Sequence, residues 1–90
     1  MQTEDSISFQ VGSNSLKIRV LGALDGRGWI NAPMISALTG FRPVRAIYTY
    51  MDRLRRWGLV ERRKPLGGPI LWAISQRGRE RLVWLNRARI

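Results

Sequence analysis

The chain has 90 residues, with 16 Lys or Arg against 6 Asp or Glu, for a net charge of +10. Its 44% hydrophobic and 24% charged residues fit one small globular domain rather than a disordered chain. With no Cys and no His, it lacks disulfides, a thiolate nucleophile, Cys-ligated zinc and the commonest general base.

Residues 1–12 carry two of the acids, Glu4 and Asp5, and an alternation of Ile7, Phe9 and Val11 with polar neighbours. They are expected to form a short strand or a loose tail. The domain proper is expected over 13–90. Ser13 is a candidate N-cap for a first helix ending at Asp25, with Leu16, Val20, Ala23 and Leu24 on one face and Ile18 and Leu21 widening it. Gly26 is its expected stop. Trp29-Ile30 is a short extended piece, and Asn31-Ala32-Pro33 opens a second helix. Its inward face is expected to be Met34, Ile35 and Leu38, and Gly40 its end.

A third helix is predicted from about Pro43 to Trp57. At about 100° per residue, Ile47, Tyr50, Met51 and Leu54 gather on one side, with Val44 and Trp57 at its margins. Arg45, Tyr48, Thr49, Asp52, Arg53 and Arg56 gather on the other. Strands over Leu59–Lys64 and Ile70–Ile74 then make a β-hairpin around Pro65-Leu66-Gly67-Gly68-Pro69. Ser75 is the expected cap of a last helix reaching about Arg89, with Leu82 and Leu85 inward and Gly78 a mild weakness in its first turn. Of the four tryptophans, Trp29 and Trp72 are expected in the core, Trp57 over the junction of helix and hairpin, and Trp84 exposed.

The charge is mostly arginine: 14 of the 16 basic residues, with Lys17 and Lys64 the others. A pI near 11.8 suggests a nucleic-acid partner, and Arg offers a planar fork for phosphate and guanine edges. The six carboxylates form no pair at i, i+3 or i, i+4 spacing, so neither an enzyme nor a metal or cofactor site is expected. No run of about 18 apolar residues suggests a membrane span and no basic–apolar segment suggests a signal peptide, so a soluble, cytoplasmic protein is expected.

The stretch INAPMISALTGFRPVRAIYTYMDRLRRWGLVERR, Ile30 to Arg63, combines Leu38-Thr39-Gly40 at a helix end, apolar Ile47, Met51 and Leu54, then Gly58-Leu59-Val60 and a basic strand. Ser75-Gln76-Arg77-Gly78 follows Ile74 at the end of the second strand and is similar to a Thr-x-x-Gly opening, with Ser75 replacing Thr. In this combination, over about residues 14–85, the chain resembles winged helix–turn–helix proteins of the MarR-like and PadR-like kinds. The resemblance implies an α+β, mostly helical fold: a three-helix core, a short β-hairpin wing and a C-terminal helix.

It also implies sequence-specific binding of double-stranded DNA by a small transcriptional regulator. The recognition helix, about 43–57, would enter the major groove and the basic wing, 60–74, would meet backbone or minor groove. Arg42, Arg45, Tyr48, Thr49, Arg53, Arg56, Arg62, Arg63 and Lys64 are the candidate DNA-binding residues, with Arg45 the candidate base reader. A homodimer is expected, built on the last helix through Trp84, Ala88 and Ile90 with help from the tail. No small-molecule effector is evident. The alternatives are a winged-helix module for protein–protein assembly and a nucleic-acid binder working by shape and charge.

Overall fold

A computed structural model describes residues 14–88, so the expected tail strand, the Ser13 cap and Ile90 lie outside the described residues. The described chain is an α+β fold of four helices and a small three-stranded antiparallel sheet. The first helix, α1, covers 14–24 and buries Val20, Leu21 and Leu24, with Leu16 and Ile18 packed beside them. Its period-3.6 apolar stripe is what forces that face inward. No helix among the described residues is long and apolar enough to cross a membrane.

Strand β1, Ile30–Asn31, leads directly into α2, Ala32–Thr39. The junction is built by Asn31, whose side chain accepts a 2.9 Å hydrogen bond from the Met34 N–H, while Pro33 sits in the first turn where no N–H is needed. Gly40 ends the helix at φ +76°, a left-handed conformation that side-chain-bearing residues resist. The expected inward face of α2 needs correction. Ile35 is buried, but Met34 is 48% and Leu38 37% exposed, and the face is completed instead by Ala32 and Thr39. Ala32 is fully buried. Thr39 tolerates burial because its hydroxyl donates to the Ile35 carbonyl at 2.7 Å and accepts from the Phe41 N–H at 3.1 Å.

Helix α3, Val44–Arg56, lies within the predicted span and buries Ile47, Met51 and Leu54 as its period requires. Tyr50, at the edge of that face, packs edge-on against Phe41 with ring centroids 5.6 Å apart. Its hydroxyl is buried without a partner, and burial pushes its pKa up to about 12 against a small opposing pull from Arg53. The neutral phenol is therefore the folded form. The stability it contributes is complete below the ordinary tyrosine pKa and is lost as pH rises from there through about 12. Tyr50→Phe is expected to stabilise the fold by about 1 kcal/mol at neutral pH, the cost of an unpaired buried hydroxyl, and to soften the alkaline loss. Thermal melts at neutral and alkaline pH, compared with the wild type, measure both effects.

Strands β2, Val60–Arg63, and β3, Leu71–Ile74, form the hairpin, and β1 adds to the other edge of β3 to give the order β1-β3-β2. Val60 lies opposite Ile74, and Arg62 and Ile30 lie on either side of Trp72. Val60, Trp72 and Ile74 point into the core, with Ile70 packed against it. Trp29 departs from expectation. It falls one residue before β1, is 38% exposed, and lies outside the core beneath the Arg63 guanidinium, 5.4 Å from the ring centroid. Trp57 is 48% exposed as the C-cap of α3, and it borders a groove together with Leu59 at the start of the hairpin.

Helix α4, Gln76–Ala88, opens on Ser75, whose hydroxyl accepts from the Gly78 N–H at 2.9 Å and donates to the Gly58 carbonyl at 2.6 Å. Leu82 and Leu85 are buried on its inner face. Gly78 is a requirement here and not the mild weakness expected. It is buried, and a Cβ on it would overlap the Leu59 carbonyl oxygen and stand 2.8 Å from Ile74 Cγ1. The absent side chain is what lets α4 lie against the start of the hairpin.

Candidate nucleic-acid interface

Amphipathicity fixes the orientation of α3. With Ile47, Met51 and Leu54 held in the core, Arg45, Thr49, Asp52 and Arg56 follow at i, i+4, i+7 and i+11 along its outer side. Arg45, Thr49, Arg53 and Arg56 are exposed, and so is Arg42 in the turn before the helix. Tyr48 and Arg55 stand to one side of that stripe, toward the hairpin. The Tyr48 ring meets Trp72 edge-on with centroids 5.4 Å apart. Tyr48, Asp52 and Arg55 with Arg62, Ile70 and Trp72 line a cleft of about 300 Å³ between helix and hairpin.

The expected outer face therefore comes together, with one negative charge in its middle. Asp52 is held in a fork: Arg55 Nη2 lies 2.8 Å from one carboxylate oxygen and Arg56 Nη2 2.9 Å from the other. The Arg55 hydrogen bond, helped by the charges of Arg56 and Arg62, keeps the Asp52 carboxyl below its ordinary range. Arg55 was not expected in the site. Its signal was the i, i+3 spacing from Asp52.

No protein-family model matches this sequence, and no curated protein is significantly similar to it. The reading of the surface thus rests on its own geometry.

The basic group of the hairpin is divided by strand alternation. Arg62, opposite Trp72, stands on the side that faces α3. Arg63, opposite Leu71, stands on the other, where it lies over Trp29. Lys64 lies just past the strand and is exposed. At the tip, Leu66 is fully exposed, a feature that the sequence presented only as a turn residue.

On α4, Trp84 is 60% exposed as expected and Ala88 is exposed. They share a stripe with two cations, because Arg77, Arg81, Trp84 and Ala88 follow at i, i+4, i+7 and i+11. In a two-fold contact each patch meets its own copy, so pairing along this stripe would bring four guanidiniums together.

Proposed function

We propose that this chain is a winged helix–turn–helix module that binds double-stranded DNA, in the manner of a small transcriptional regulator. The observation that carries the reading is the two-sided α3: apolar residues locked inward, and Arg45, Thr49, Arg53 and Arg56 outward beside a basic hairpin. An α-helix fits the major groove, and the N-terminal half of such a helix meets base edges. Arg45 then reads a guanine edge, Tyr48 and Thr49 meet thymine methyls or phosphates, and Arg42 and Arg53 meet the backbone. Arg62 and Lys64 take flanking phosphates, with Arg63 steadied on Trp29 beside them.

Asp52 serves this reading as a restraint. By holding Arg55 and Arg56, it withholds charge from phosphates and reduces affinity that carries no sequence information. The assembly reading draws on α2, where Met34 and Leu38 are exposed, but an Arg-rich α3 face suits an acidic polymer better.

Selection of bound sequences from a random duplex library tests the proposal. One enriched consensus is expected, with a log–log salt slope of about −3 to −4 if four cations each neutralise a phosphate. Binding without enrichment would leave only a shape-and-charge binder, and no binding at low salt would remove DNA from the reading.

A further inference from the structure

A second concave surface lies between α1, the end of α3 and the start of α4. It is a groove of about 510 Å³ whose polar wall holds Lys17, Arg56, Arg77 and Arg81, with Trp57 at its side. It runs on into a depression of about 350 Å³ that shares Arg77 and Arg81 and ends at Trp84. Four cations thus face one groove, and only Arg56 has a carboxylate partner among the described residues. Glu80, the one acid on the wall, accepts from Gln76 Nε2 at 3.3 Å and forms no ion pair with Arg77 or Arg81 among the described residues.

Such crowding of like charge is unfavourable without a counter-ion. It is visible at Lys17, which burial and then the charge of Arg81 hold below the ordinary lysine range. The aromatic groups add a second requirement. Trp57 and Trp84 are both about half exposed, and each carries a cation on its ring: Lys17 at 4.7 Å and Arg81 at 5.8 Å from the centroids. A cationic groove with flat aromatic rings along it is matched by a chain of alternating phosphates and bases, since any base can stack on indole. An acidic peptide would satisfy the charge but leave the indole rings in water. A second copy of this chain would add cations to cations.

We propose that this groove binds single-stranded nucleic acid, with phosphates on Arg77, Arg81 and Lys17 and bases stacked on Trp57 and Trp84. The inference does not rest on the duplex reading, because Arg45, Thr49 and Arg62 do not line the groove; Arg56 alone borders both surfaces.

The test is fluorescence anisotropy of a labelled oligothymidylate of about a dozen nucleotides with the full chain, alongside a labelled duplex. The wild type is expected to bind the oligomer with quenching of tryptophan emission. The double variant Arg77→Ala/Arg81→Ala is expected to lose about tenfold or more on the oligomer and no more than about threefold on the duplex. Trp84→Ala is expected to lose about tenfold on the oligomer, and Trp84→Phe to restore most of it. Melting temperatures close to wild type certify the fold of each variant. Unchanged oligomer affinity in the double variant, or equal losses on both ligands, overturns the proposal. So does a mononucleotide that binds as tightly as the oligomer, which would make the groove a free-nucleotide site. A wild-type dimer that Trp84→Ala converts to monomer in sedimentation also overturns it, since a second copy would then be the occupant.

Discussion

Gly78→Ala is expected to lower stability by about 3 kcal/mol or more, and the melting temperature by about 12 °C or more for a domain of this size. The sign is opposite to the usual one. In an exposed helix interior, Ala is better than Gly by about 1 kcal/mol. Here the added methyl would enter the space of the Leu59 carbonyl oxygen, with the Leu59 carbonyl carbon 3.0 Å and Ile74 Cγ1 2.8 Å away. Two of these three atoms are backbone, so no side-chain rotation relieves the overlap. The Leu59 carbonyl also accepts from the Ser75 N–H at 3.1 Å, and the Ser75 hydroxyl ties Gly58 to Gly78. Moving α4 outward to admit the methyl would therefore strain three hydrogen bonds that join it to the end of α3 and the hairpin. Denaturant unfolding of Gly78→Ala beside Gly22→Ala separates the two effects. Gly22 is exposed on α1 with nothing within 4 Å of an added Cβ, so that substitution should be stabilising. Similar responses at both positions would refute the close approach at Gly78.

That contrast shows where local sequence signals stop. The third helix was legible because its apolar residues repeat at one helical period over 13 residues, and its ends are marked by Pro43 before it and Gly58 just past its C-cap. The N-cap at Asn31 and the alternation of Ile70, Trp72 and Ile74 were legible for the same reason: each is a local pattern with one physical solution. The second helix has two apolar stripes, Met34 with Leu38 and Ala32 with Ile35. Which of them faces inward depends on where α3 lies, and periodicity within eight residues does not say. The division of Arg62 from Arg63 follows from strand alternation, but it takes the Trp72 register to tell which side each one faces. The groove on α1 and α4 has no sequence pattern of its own, because Lys17, Trp57 and Arg81 are far apart in the chain and only packing brings them to one surface. Its one local sign was the helical spacing of Arg77, Arg81 and Trp84.

On the proposed duplex, Arg45→Ala should cost about 1–3 kcal/mol on the preferred sequence, equivalent to roughly a 5- to 150-fold loss of affinity. On a scrambled duplex, the loss should be several-fold smaller. Arg45 is exposed one residue after the start of α3, where a helix in the major groove presents its side chains to base edges. It forms no ion pair with a described carboxylate, so its removal leaves no buried charge and should leave the melting temperature unchanged. The bidentate fork of Arg against guanine supplies both energy and discrimination, and Arg45→Lys should therefore recover less of the preference than of the general affinity. Asp52→Asn supplies the opposite sign. Loss of its charge frees Arg55 and Arg56 from the fork, so affinity for scrambled duplex should rise and the log–log salt slope should steepen by about one unit. Together the two substitutions separate reading from attraction: Arg45→Ala should reduce the ratio of preferred to scrambled binding chiefly through the preferred site, and Asp52→Asn should reduce it through the scrambled one. Equal losses on both duplexes for Arg45→Ala would make Arg45 a phosphate contact and move sequence reading to Tyr48 and Thr49, the other residues of the N-terminal half that face outward.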